Sequence, residues 1–128
     1  KAQKEAYEIN TGKIKDRVSA SLRKDWNTGE PQPSWYPNFP EDLRDDYFKQ
    51  FEAEYKSPVY EKKTNKFIRF EWKLIHGREN HAWDTFIYNV AGLEILATNF
   101  CERSGLLKLD FDLFWEYCLT GAYYVEKK

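Results

Sequence analysis

The stretch Arg78-Glu79-Asn80-His81-Ala82-Trp83-Asp84 opens a long apolar segment, and its reading decides the fold. From Trp83 onward, Ile87, Val90, Ala91, Ile95 and Leu96 recur at three- and four-residue spacing. That period predicts a helix with one buried face, running to about Phe100. Asp84 falls on the same face, in a row with Ile87, Ala91 and Ile95. An ionised acid out of water is costly unless it is paired or bound to a metal. Two readings therefore stand for Asp84. It is an acid placed at a helix N-terminus, where the free N–H groups and the dipole favour it, or it is a metal ligand held rigidly at the edge of a core. His81 lies three residues earlier, near enough on the helix surface to orient the carboxylate or meet a phosphate. A helix-start cap is its ordinary alternative.

Working upstream, residues 58–75 read as a β-hairpin. Ile68, Phe70, Trp72 and Leu74 alternate with Arg69, Glu71 and Lys73, which predicts a strand with one dry and one charged face. Val59-Tyr60-Glu61-Lys62 supplies the first strand and Lys63-Thr64-Asn65-Lys66 the turn. Lys62, Lys63, Lys66, Arg69, Lys73 and Arg78 face a single acid, Glu71, over this region. Such a ribbon is either an edge strand guarded against aggregation by its lysines or a surface that follows DNA phosphates.

Further out, Ala6-Tyr7-Glu8-Ile9 reads as a short strand, and residues 13–24 as a helix with Thr11 as cap and Ile14, Val18, Ala20 and Leu22 as apolar members. Residues 25–40 carry four prolines and read as a loop, with Ser34-Trp35-Tyr36 a short strand and Trp35, Tyr36 and Phe39 as anchors. A helix follows Pro40 to about Tyr55, its first turns filled by Glu41, Asp42, Asp45 and Asp46. That acid cluster reads as a solvated helix start rather than a metal site. Ser104-Gly105 ends the long helix. A last helix spans residues 110–120, capped by Asp110 or Asp112 and stopped by Gly121.

Composition narrows the function classes. The chain has 128 residues, enough for one domain or part of one, and is rich in aromatics, with five Trp, nine Tyr and nine Phe. Net charge is −1, so contact with nucleic acid must come from a local patch. No apolar run is long enough to span a membrane. Cys101 and Cys118 lack the spacing of a zinc site or disulfide framework and fit a reduced setting. The polar start is no signal peptide, and a chain without any Met is expected to be an internal piece or processed product of something longer. There is no Gly-rich phosphate loop, no nucleophile elbow and no zinc-protease histidine pair, since His76 and His81 lie five apart.

Taken together, Arg78 to Asp84 and the following Phe86-Ile87-Tyr88-Asn89-Val90-Ala91-Gly92-Leu93 resemble the closing motif of the GpA-type large terminase subunit of tailed phages. In that family the motif reads roughly Arg-x-Asn-Glu-Ala-x-Asp, followed by an apolar helix with a Tyr-Ala element. The order upstream is similar as well: a Lys15-Asp16-Arg17-Val18 helix, the aromatic-proline segment Trp35-Tyr36-Pro37-Asn38-Phe39-Pro40, the Asp46-Tyr47-Phe48-Lys49-Gln50-Phe51-Glu52-Ala53-Glu54 helix and a basic hairpin. The resemblance covers about residues 6–97.

The resemblance implies a mixed α and β fold, the C-terminal portion of a ribonuclease H-like nuclease domain, with a basic hairpin and packed helices. Residues 1–104 would form that part and residues 105–128 a helical extension. It implies a metal-dependent endonuclease that cuts concatemeric double-stranded viral DNA during genome packaging, using two Mg2+ or Mn2+ ions held by carboxylates. Asp84 lands on a family catalytic, metal-binding position. Asn80 and Lys15 match family residues, and His81 stands where the family usually has Glu. Asn80 and His81 are expected beside the metal, and Lys15, Lys62, Lys66, Arg69, Lys73 and Arg78 against DNA. The family's other acids lie on earlier strands, so the chain alone is expected to bind metal weakly and not to cut. Implied partners are double-stranded DNA, the terminase small subunit and the portal or procapsid, in the host bacterial cytoplasm and with no membrane. The alternative is an assembly module, in which the aromatic segment after Gly105 docks the terminase on the portal or procapsid or the chain binds DNA without cutting it.

Overall fold

A computed structural model describes residues 7–121. Among them the fold is mixed α and β: helices α1 (Thr11–Leu22), α2 (Asp45–Lys49), α3 (His81–Arg103) and α4 (Phe111–Thr120), with one antiparallel hairpin of β1 (Glu54–Tyr60) and β2 (Phe67–Leu74). The chain divides into two compact units, one reaching to Tyr88 and one beginning at Asn89, the boundary falling inside α3. No helix among the described residues is long and apolar enough to cross a membrane.

In the first unit, α1 is capped by Asn10, whose side-chain oxygen accepts from the Lys13 N–H at 3.1 Å. Thr11 is already helical, so the cap lies one residue before the expected one. Ile14 and Val18, one turn apart, are its buried members. Leu22, expected to face inward, is exposed. Residues 7–9 form no strand, and Ala6 lies outside the described residues. Residues 34–36 form a turn and not a strand, because Trp35 takes a left-handed backbone (φ 58°) that no strand accommodates. Trp35 is therefore exposed. Tyr36 packs edge-on against Trp26 at 5.5 Å, and Phe39 is the residue that ties the loop inward. Its ring meets Phe48, Phe51 and Phe86 at 5.2, 5.7 and 5.7 Å, Phe51 meets Trp83 at 5.6 Å, and Trp83 meets Trp72 at 6.0 Å. This aromatic chain, with Ala53, Trp83 and Ile87 fully buried, is the core of the unit.

The helix expected from Pro40 to Tyr55 is much shorter. It starts at Asp45, tightens to a 3-10 turn over Gln50–Glu52 and gives way at Glu54 to β1. Pairing decides this: Glu54 to Tyr60 lie opposite Leu74 to Phe67, with a bulge between Val59 and Tyr60. A long-range ladder has won over local helical pattern. Paired residues share a face, so Glu54, Lys56 and Pro58 lie with Leu74, Trp72 and Phe70, while Tyr55, Ser57 and Val59 lie with Lys73, Glu71 and Arg69. The expected dry face of β2 is covered only at Trp72. Ile68 and Phe70 are each about half exposed, because the hairpin packs at its base and projects beyond it; Leu74, opposite Glu54 at the base, is also half exposed.

In the second unit, α3 buries Ala91, Ala97 and Cys101, while Leu96, expected on the buried face, is exposed. The helix ends at Ser104 and Gly105 (φ 79°), and the Leu106 N–H returns to the Cys101 carbonyl at 2.9 Å. Asp110 caps α4 by accepting from the Leu113 N–H at 3.0 Å, and Gly121 (φ 69°) closes it. Phe100 stacks on Tyr117 at 4.9 Å and meets Phe114 at 5.8 Å. The Cys101 thiol joins the turn, accepting from the Asp110 N–H at 3.3 Å.

Candidate functional site

The base of the hairpin, α1 and the first turn of α3 bring four polar side chains together. Lys15 leaves α1 beside buried Ile14, and its Nζ reaches both oxygens of Glu54, Oε2 at 2.7 Å and Oε1 at 3.0 Å. The same Nζ lies 3.6 Å from Asp84 Oδ1. Asn80 Nδ2 donates to Glu54 Oε1 at 2.8 Å. The side chains of Glu54 and Lys15 are 5% and 13% exposed, whereas that of Asp84 is 41% exposed. The oxygens of this nearly buried carboxylate are satisfied by a lysine and an amide. Asp84 forms the open rim of this arrangement.

The start of α3 is built to leave these groups available. Asn80 holds the N-cap place, its carbonyl accepting from the Asp84 N–H at 2.9 Å. Its side chain does not turn back on the helix but goes to Glu54. The orphan N–H of Ala82 is satisfied instead by Gln50 Oε1, at 2.7 Å. Asp84 is thus excused from capping, and its carboxylate faces the Lys15 ammonium. Next to Lys15, Asp16 accepts from Trp72 Nε1 and from Lys56 Nζ, both at 3.0 Å, which fixes α1 against the hairpin.

The residues singled out from sequence separate into groups. Asp84, Asn80 and Lys15 converge. Lys15 is turned into the carboxylates and is not presented to solvent as a DNA contact. His81 stands exposed at the first position of α3. Lys62 and Lys66 lie exposed at the hairpin tip, and Arg78 is exposed just before Asn80. Arg69 and Lys73 lie on the face of the hairpin opposite to Glu54, and Arg69 Nε is bound to Glu71 Oε1 at 2.9 Å. The acids at the start of α2 stay apart from the site. Asp46 pairs with Arg44 at 2.9 Å, and that hydrogen bond holds its carboxyl below the usual carboxylate range. An open groove of about 410 Å³ lies there, lined by Asp42, Leu43, Arg44, Asp46, Tyr47 and Gln50.

By sequence, Glu54 and Gln50 read as part of a helix and take no place in the site. Both fell inside the helix expected to run to Tyr55, where a polar residue reads as solvated. The signal that marks Glu54 is its register, on the same hairpin face as Trp72, and register is fixed only by pairing.

The donors suit a hard divalent cation in kind: two carboxylates already share one positive charge. Among the described residues no group of three or more His, Cys, Asp or Glu side chains is placed to hold a metal, so the set is partial. The family model of the terminase large subunit gpA, endonuclease domain, matches residues 1–104. No curated protein and no solved structure matches the chain.

Proposed function

Because the chain belongs to the terminase large subunit gpA endonuclease-domain family, we propose that it contributes one side of a metal-dependent centre cutting concatemeric double-stranded DNA in genome packaging. The observation that carries this is the exposed Asp84 carboxylate, freed from capping and set beside the sealed carboxylate of Glu54. Asp84 is the metal ligand, with Glu54 the second carboxylate. Asn80 orients Glu54, and His81 at the helix start is available to a phosphate. Mg2+ or Mn2+ suits these oxygen donors. When bound, such a cation supplies charge neutralisation at the scissile phosphate and activation of water.

The cationic residues act at longer range. Lys62 and Lys66 at the tip, Arg78 before α3, and Arg69 and Lys73 on the outer face raise the local concentration of DNA phosphates without selecting sequence. The terminase small subunit and the portal or procapsid, met in the host cytoplasm, complete the packaging context of this reading.

Two carboxylates make a weak site, so the isolated chain is expected to bind Mn2+ loosely and to leave plasmid supercoiled in Mg2+. Titration of Mn2+ into wild type and Asp84→Asn, alongside plasmid nicking, tests this. Binding indifferent to Asp84→Asn removes Asp84 as the ligand, and robust Mg2+-dependent nicking by the chain alone removes its dependence on further acids.

A second reading draws on the second unit. Leu107, Trp115 and Leu119 are exposed there, a composition suited to docking on the portal or procapsid. Deleting residues 106–128 separates the two roles of this segment. Loss of procapsid binding with the fold intact favours docking, and loss of the fold favours core.

A further inference from the structure

The charge balance of the site turns on one side chain. The Glu54 side chain is nearly sealed from water, and both of its oxygens are already engaged. Lys15 meets both oxygens and reaches on toward Asp84. The Asn80 amide already covers Glu54 Oε1. The ammonium thus touches both carboxylates, and a divalent cation shared by Glu54 and Asp84 would compete with it for them.

We propose that Lys15 is a resident counter-cation, its ammonium holding the metal position between Glu54 and Asp84, so that a divalent ion enters only as Lys15 swings out. This rests on the reading of Asp84 as a metal ligand. In the metal-free state Lys15 keeps two carboxylates from repelling each other. On loading, the lysine is released and its charge becomes available beside the site. Like charges a few ångströms apart repel strongly where water is scarce, so ammonium and metal alternate in the gap. Lysine suits the exchange, being a compact charge on a flexible stem. Buried Ile14 and Val18 hold the backbone of α1, so only the side chain has to move.

Mn2+ binding to the whole chain, followed by the loss of the free-ion paramagnetic resonance signal, tests the exchange. Lys15→Gln removes the charge but keeps an N–H for Glu54. It is expected to bind Mn2+ at least tenfold tighter than wild type, and adding Asp84→Asn is expected to abolish the gain. In the wild type, saturating Mg2+ is expected to raise the labelling of Lys15 by an amine reagent several-fold relative to exposed Lys13. Equal Mn2+ affinity in wild type and Lys15→Gln, with Asp84→Asn weakening both, overturns the counter-cation and leaves Asp84 as a ligand. Affinity indifferent to Asp84→Asn overturns both. Should Lys15→Gln fail to fold with or without Mn2+, the wild-type labelling decides, and unchanged Lys15 labelling in Mg2+ overturns the proposal.

Discussion

The base and the tip of the hairpin share one alternating pattern and meet opposite fates. At the base, Glu54 and Trp72 are engaged by α1 and α3: Lys15 and Asn80 hold Glu54, Asp16 takes the Trp72 indole N–H, and Trp83 packs on its ring. Toward the tip, Phe67, Ile68 and Phe70 of β2 stand about half exposed, with Lys56 of β1 set over the Phe70 ring. Alternation reports which face a side chain takes, and says nothing of how far along the strand that face is covered. Coverage is set by the length of the elements laid against it, and α1 reaches only the base.

The contrast can be broken first at Trp83. Truncation by Trp83→Ala should cost about 3–5 kcal/mol of stability, measured by chemical denaturation. Trp83→Phe should cost far less, because the buried indole N–H has no hydrogen-bond partner to lose. An equal loss in both would mean that the ring's size, and not its place between Phe51 and Trp72, holds the base together. Next, Lys15→Met without divalent cations should cost roughly 3 kcal/mol, since it strands a buried carboxylate. A Glu54→Gln, Lys15→Met double variant should recover much of that loss, and failure to do so would show that the pair is not the cause.

The tip sharpens the contrast from the other side. Lys62→Ala with Lys66→Ala should reduce the slope of log affinity for duplex DNA against log salt by about 1.8, near 0.9 for each phosphate contact removed. Arg69→Ala with Lys73→Ala should change it less, because Arg69 is already engaged by Glu71. The reverse order would place the DNA on the outer face of the ribbon. Smallest of the stability effects, Phe70→Ser should cost about 1–2 kcal/mol, for the half of the ring that is covered and its contact with Phe67. A larger loss in the same denaturation assay would show that the tip is covered in solution.

How much of this was legible follows from which forces are local. The period that begins at Trp83, the cap at Asp110 and the stop at Gly121 are written within a few residues, and α3 and α4 form where they read. The hairpin exists as expected, but its first strand begins at Glu54, because pairing with Leu74 reaches back twenty residues and overrides a helical pattern. Asp84 could be singled out because an acid in an apolar row is conspicuous. Glu54, the more buried carboxylate, could not, since its surroundings are assembled from α1, α3 and the strand register. Trp35 and Leu96 misled for the complementary reason: being apolar made them look like anchors, and neither is covered.

The helix pair α3 and α4 carries one thiol inside and one outside. Cys101 is buried and takes the Asp110 N–H, whereas Cys118 is exposed on the last helix. A thiol reagent should therefore consume Cys118 at once and reach Cys101 only when the turn between the two helices opens. The ratio of the two rates is a built-in clock for local opening of the second unit, readable by mass spectrometry with no label introduced and no residue changed.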